Sequence, residues 1–384
     1  AGRAIETPAK TLRSLVPPPR SWNAPVMVRE VVDAVLAAKC SGDYVDASFG
    51  RGAYSEELLR RMPPGSRLFI LVDEAADPGG AEAARDLQRA DSRVAAVVPR
   101  PASEIGEALA GRELAGVVAD LGIVFQGEDA LRGLSPVDDV PLDLRMDPSR
   151  GVSAAEWLRT TTVEELAWVI HAYGEDDDPL VSLRIAEGVL DWQRRHGPYS
   201  SVYQLVEVIR KVKATQEERG LHPAKLTLLA LRIYVNSELE QLEDFLVGGS
   251  KLLTPGGRLG VVTTRRAEAA QVKSFVRHHE NSRGMFEACS SPQRLMELYP
   301  LLRGDEPFAV QQACEPLWPS SEGGGRRGPR SLAAHVLQRT TRSRTPLSMA
   351  TGLRPRRDAE LFVKPDLFPS WAAPPEPPGP AGGS

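Results

Sequence analysis

Cysteine is scarce in this chain. Cys40, Cys289 and Cys314 are the only three in 384 residues, and their wide separation matches no zinc spacing. That excludes a disulfide-stapled scaffold and favours a reduced compartment without a structural metal. Histidine is equally sparse: the six residues, including the pair His278-His279, form no metal-ligand pattern with a nearby cysteine or carboxylate helix. No apolar run reaches the roughly 18 residues needed to span a bilayer, so a membrane reading has no support. A strong overall charge is missing too. The formal net charge of -4 argues against a uniformly basic nucleic-acid binder.

What is present is a chain that is 42% hydrophobic, enough for one large core or a core with an inserted domain. Its charge is unevenly spread. Nine arginines and no acid lie between Arg326 and Arg357, whereas Glu175-Asp176-Asp177-Asp178 forms an acidic run. Within the basic segment Arg326, Arg327, Arg330, Arg339, Arg342 and Arg344 are candidate RNA contacts, suited to phosphates or equally to a solvated tail. The first twenty residues carry Arg3, Lys10, Arg13 and Arg20 against Glu6 alone, a composition expected near an organelle-targeting sequence.

The organising stretch is Val45 to Gly52, followed by Ala53-Tyr54-Ser55 and a helical run. An apolar strand ending in an acid, a two-glycine turn and a helix N-terminus make either a nucleotide-type pocket or a plain structural turn. Asp73 ends the next apolar run, where a carboxylate can accept hydrogen bonds from a ribose. Asp120-Leu121-Gly122 ends a third buried run in the same way. Strands alternating with helices imply a parallel, doubly wound α/β sheet.

Between about 130 and 220 the alternation stops, and only helices are expected: Ala154 to Leu158, Val163 to Ala172, Leu183 to Arg194 and Val202 to Val212. Trp157, Trp168, Tyr173 and Trp192 are expected to fill a small core there rather than stack on bases. One long helix is expected from Pro223 to about Leu246, with Asn236-Ser237-Glu238 on it. Then come the turn Pro255-Gly256-Gly257, the strand Leu259 to Thr263, a helix from Glu268 to His278 and a last strand over Leu332 to Arg339. The proline-rich ends read as extended arms or disordered tails.

Four stretches carry a family resemblance. They are Pro141 to Pro148 with Ser153 to Leu158; His222-Pro223-Ala224 with Leu231 to Glu240; Asp46 to Gly52; and Leu253 to Leu259. Together they resemble the bacterial and organellar family that methylates the exocyclic amine of a cytosine in small-subunit ribosomal RNA, using S-adenosylmethionine. The resemblance implies a Rossmann-like methyltransferase core over 24–129 and 221–285 and a helical insertion over 130–220 for RNA recognition. An N-terminal arm over 1–23 and an irregular extension over 286–384 flank them. It also implies that Gly50, Gly52, Ala53, Tyr54, Asp73 and Asp120 border the cofactor, with Asp120 the candidate catalytic carboxylate.

The departures matter as much as the matches. Where the family has Gly-Gly-His, this chain has Gly52-Ala53-Tyr54, which is expected to tighten the pocket; Ala102 stands where the family offers a phenylalanine near the adenine. Ile123-Val124-Phe125 replaces a valine and two serines, and Thr264 to Ala269 replaces Phe-His-Ser-Leu-Glu-Asp. The expectation is a divergent member with a degraded catalytic pocket. It would serve as an assembly factor of a mitochondrial small ribosomal subunit, with small-subunit rRNA and ribosomal or assembly proteins as partners. The alternative is an active S-adenosylmethionine-dependent methyltransferase of an rRNA cytosine. A small-molecule methyltransferase is disfavoured by the stretches at 141–158 and 222–240.

Overall fold

The structure, a computed structural model, describes residues 27–120, 139–174, 178–213, 223–280, 308–319 and 332–343. These fall into two compact units, one within Ala1–Val124 and Glu240–Ala359, the other within Phe125–Leu239.

The first unit is a seven-stranded sheet with helices on both faces. In chain order it comprises α1 (Val28–Leu36), β1 (Asp43–Asp46), α2 (Ala53–Arg61), β2 (Arg67–Leu71), α3 (Pro78–Ala90), β3 (Val94–Val98), α4 (Ile105–Ala108) and β4 (Leu114–Asp120). After the helical unit come β5 (Leu253–Thr263), α11 (Arg266–Glu280), β6 (Phe308–Gln312) and β7 (Ala333–Ser343). The strand order is β3-β2-β1-β4-β5-β7-β6. The pairs from β3 to β5 are parallel, and β7 runs antiparallel to both of its neighbours. This is the Rossmann-like methyltransferase sheet that the resemblance implies. The order reverses between β1 and β4, which opens a crevice at their carboxyl ends.

Alternation along the strands divides the apolar residues between two cores. Val118 and Val336 join Val31, Leu58 and Leu87 on one face; Val117 and Leu337 join Ile105, Phe245 and Val272 on the other. All four residues of β1 are buried, as a central parallel strand requires.

The second unit is helical among its described residues: α5 (Ala154–Thr160), α6 (Val163–Tyr173), α7 (Pro179–His196), α8 (Val202–Val212) and α9 (Lys225–Val235). Its starts are written in side chains. Ser153 with Glu156 and Thr162 with Glu165 form capping boxes for α5 and α6. Asp178 caps α7, whose first residue is Pro179, so that helix begins earlier than apolar spacing alone suggests. Trp157 is buried in the unit's core, while Trp168, Tyr173 and Trp192 are half-buried against it, the core-filling role expected of them. Their rings pair: Trp157 with Tyr234 at 4.5 Å, Trp168 with Tyr173 at 5.3 Å and Trp192 with Tyr199 at 4.5 Å.

Three expectations change. The long helix is two, because α9 stops at Val235 and α10 (Glu238–Leu252) starts anew. Ser237 takes φ 50°, a left-handed conformation that a helix cannot continue through. The Pro-Gly-Gly segment is no turn ahead of a short strand. It is an irregularity inside β5, where pairing jumps from Leu114↔Leu253 to Gly116↔Arg258. The last strand extends to Ser343 and pairs with β6, which the sequence reading omits. The N-terminal arm, Leu121 to Phe125, His222 and the proline-rich tail lie outside the described residues.

Candidate active site

The crevice is built from Asp46 outward. Burial in β1 leaves its carboxylate no water, and its pKa is pushed up to about 6. Hydrogen bonds offset part of that cost: the Ser55 hydroxyl donates to Oδ2 at 2.7 Å and the Ser48 amide to Oδ1 at 3.1 Å. The Ser48 hydroxyl in turn accepts from the Asp120 amide at 2.6 Å, and the Ala47 amide donates to the Val118 carbonyl at 2.8 Å. One acid therefore ties together the end of β1, the start of α2 and the end of β4. Neither Ser48 nor Ser55 is singled out by the sequence reading, since a serine near a glycine turn carries no signal of its own.

The two glycines do different work. Gly52 has φ 81°, and a Cβ there would lie 2.9 Å from the Phe49 ring, so it makes room for the chain's own buried phenylalanine. Gly50 has φ 51°, and among the described residues a Cβ there would meet only the Ser48 carbonyl, at 3.8 Å. Of the pair, Gly50 is the one whose backbone a ligand can approach.

Ala53 is the first residue of α2, and Tyr54 follows it, 3% exposed. The Tyr54 ring belongs to the same core as Val31 and Leu58, so the side chain fills the interior at the start of α2. Its hydroxyl is driven far above the usual phenol range by burial first, then by the charges of Asp120, Asp46 and Glu30. It therefore stays protonated.

β2 and β4 flank β1, so Asp73 and Asp120 stand on either side of the glycine turn. Both are half-buried. Asp73 accepts from the Ala76 amide at 3.2 Å. Ala102 opens a 3-10 turn after β3 and packs half-buried against the second core. After β5, Glu268 accepts from the Thr264 amide at 2.9 Å and the Arg265 amide at 3.2 Å, capping α11 with the segment that departs from the family pattern.

The arginines are less informative. Arg326, Arg327, Arg330 and Arg344 lie outside the described residues, and of Arg342 only the backbone, in β7, is described. Arg339 lies on β7 and donates to the Lys251 carbonyl at 3.0 Å and to the Leu253 carbonyl, joining β7 to the start of β5.

In the helical unit the motif residues lock one another. Asn236 donates to the Leu144 carbonyl at 2.9 Å and the Arg232 carbonyl at 2.8 Å, and accepts from the Met146 amide at 2.7 Å. Arg232, fully buried, is bidentate on Glu238 at 2.6 and 2.8 Å. Arg145 grips Asp143 at 2.6 and 2.9 Å. Two stretches that carry the resemblance are thus joined through Asn236.

Comparison with known proteins agrees with this geometry. The model of the MraW methylase family matches residues 21–299. A relative named ribosomal RNA small subunit methyltransferase H, from Shewanella amazonensis, is 39% identical over 261 residues, covering 66% of this chain and 79% of that protein. With the family model spanning most of the chain and the sheet, switch point and glycine turn in place, this protein belongs to the MraW methylase family.

Proposed function

We propose that this protein is an S-adenosylmethionine-dependent methyltransferase acting on a cytosine of small-subunit rRNA. Methyltransferases of this family depend on that cofactor. The observation that carries the reading is the intact edge of the crevice, with Asp46, Ser48 and Asp120 hydrogen-bonded across β1 and β4. The residues present fit the cofactor chemically. The room at Gly50 among the described residues admits it to the backbone, Asp73 offers a carboxylate to ribose hydroxyls, and Asp120 offers one to a cationic or amino group. Bound there, S-adenosylmethionine supplies an electrophilic methyl carbon.

A cytosine amine is a weak nucleophile because its lone pair is delocalised into the ring. Transfer needs alignment and an acceptor for the departing proton. Asp120 is the carboxylate assigned that role, and the Ser48 hydroxyl fixes its backbone. The Tyr54 ring is buried in the core at the start of α2, with its hydroxyl near the charges of Asp120 and Asp46.

A second reading rests on a specific observation. In the segment Thr264 to Ala269, which departs from the family pattern, Glu268 accepts from the Thr264 and Arg265 amides and so caps α11. On this reading the fold serves assembly of the small ribosomal subunit, alongside its rRNA and ribosomal or assembly proteins, without methyl transfer. For either reading we propose a mitochondrial location, supported by the basic composition of the first twenty residues and checked by fractionation of tagged protein.

Calorimetric titration with S-adenosylmethionine separates the two. Micromolar binding, with methyl transfer abolished by Asp120→Ala, supports the enzyme. Absence of binding at millimolar ligand rejects it and leaves the assembly role.

A further inference from the structure

The sheet unit carries a cavity at the carboxyl end of β5. β7 places Ala333 opposite Thr263 and His335 opposite Val261, so both lie toward the carboxyl end of β5, beside the start of α11. Past β6 the chain rejoins the sheet edge at Leu317, which exchanges hydrogen bonds of 2.9 Å with Ala334 in both directions. Leu317 and Ala334 go to the first core. By strand alternation, Trp318 is left for the opposite face, where α11 packs. Ala269 and Ala270, near the start of α11, line the cavity with little side-chain volume. The result is a cavity of about 270 Å³ bordered by Arg266, Lys273, Trp318 and His335.

Three properties of this cavity point to one kind of occupant. His335 is 1% exposed, and its Nε2 has no hydrogen-bond partner among the described residues, an unmet polar group that a ligand can satisfy. Burial, and then the charge of Lys273, pushes its pKa down to about 4, so the ring is neutral and its Nε2 donates or accepts according to the tautomer. Trp318 is 58% exposed, presenting an indole to solvent beside the cavity. Arg266 and Lys273 are exposed cations on its rim. An aromatic platform, a buried polar edge and a pair of cations together are the elements with which proteins hold an unpaired nucleotide.

We propose that this cavity takes a single phosphorylated nucleoside, its base against Trp318, its polar edge on His335 and its phosphate on Lys273 and Arg266. The nucleoside can arrive as a free nucleotide or as one unit of an unpaired RNA strand. The site uses none of Asp46, Asp73 or Asp120, so it goes beyond the methyl-transfer reading and stands or falls separately from it.

The test uses uridine 5′-monophosphate and a labelled hexauridylate, neither of which contains adenosine or the cytosine that would compete for the crevice. Binding is read by calorimetry and fluorescence polarisation on the full chain, wild type and with Trp318→Ala, Trp318→Phe or Lys273→Glu. Trp318→Ala is expected to weaken binding about tenfold, while Trp318→Phe retains most of it. Lys273→Glu is expected to weaken it and to reduce the salt dependence by about one charge. Binding of the monophosphate as tight as the hexamer identifies a free nucleotide; binding of the hexamer alone identifies a strand. Failure of both probes to bind at millimolar concentration overturns the proposal, as does binding unmoved by Trp318→Ala and Lys273→Glu. S-adenosylmethionine titration of the same variants reports on the crevice independently, so loss of one site is distinguishable from loss of the other.

Discussion

Arg232 in the helical unit and Asp46 in the sheet unit are buried charges held in opposite ways. Arg232 is buried in a pair with Glu238, and half-exposed Asp143 is likewise held by Arg145, in two hydrogen bonds that keep its carboxyl below the usual range. The sheet unit pairs some buried acids too, Asp43 with Arg67 and Asp91 with Arg93, but it holds Asp46 with hydroxyl and amide donors and His335 near a like charge. Pairing holds two chain segments in register and leaves little to titrate near neutral pH. Burial without a counter-charge shifts a pKa toward the neutral form, upward for Asp46 and downward for His335, and the two stand at the carboxyl end of a strand and beside a cavity.

The largest expected effect breaks a pair. Arg232→Ala leaves Glu238 mostly buried without its partner, and urea unfolding is expected to show a loss of about 3–5 kcal/mol. Next comes the lone acid. The folded pKa of Asp46, about 6, lies above its ordinary 3.8, so its contribution to stability is present below about pH 4 and lost as pH rises through 6, on the order of 3 kcal/mol. His335 has the opposite sign. Its folded value of about 4 lies below 6.5, so its contribution is present at neutral pH and lost as pH falls through 6.5 toward 4. In the wild type the two slopes oppose one another; Asp46→Asn is expected to unmask a stability that climbs steadily from pH 4 to 6.5. A flat profile in that variant contradicts the assignment.

Smaller effects sharpen the picture. Asn236→Ala removes two hydrogen bonds joining the loop at Leu144 and Met146 to the end of α9, and one within the helix, and thermal melts are expected to register a loss of about 2 kcal/mol. Gly52→Ala must place a side chain at φ 81° against Phe49, with an expected loss of about 1–2 kcal/mol. A gain of stability there would mean that Phe49 gives way freely.

Much of this architecture is legible from residue order. The runs that become β2, β3 and β4 are apolar and end in turn or acidic residues, and each closes at the crevice edge or beside it. α8 spans Val202–Val212 as its periodicity predicts. The break between α9 and α10 is hidden because Asn236 and Ser237 disfavour a helix only weakly in isolation; what breaks it is a side chain bonded to a loop far away in sequence. β6 escapes notice because Phe308 to Gln312 is short and half polar, and becomes a strand by pairing with β7. At the site, the acids at the strand ends are readable from their positions. The roles of Ser48 and Ser55 are not, since they follow from contacts that only the closed turn creates.

The strand order also sets a timetable. β4 is made early, yet its neighbour β5 follows only after the whole helical unit, and β7 later still. On a ribosome working at about 5–20 residues per second, the helical unit emerges while three of the seven strands still wait. Until residues 333–343 arrive, β5 is an edge strand whose buried apolar residues Leu259 and Val261 have no outer neighbour. A nascent or truncated chain that stops short of β7 therefore offers other chains an open edge to pair with, and β7 is the strand that closes it.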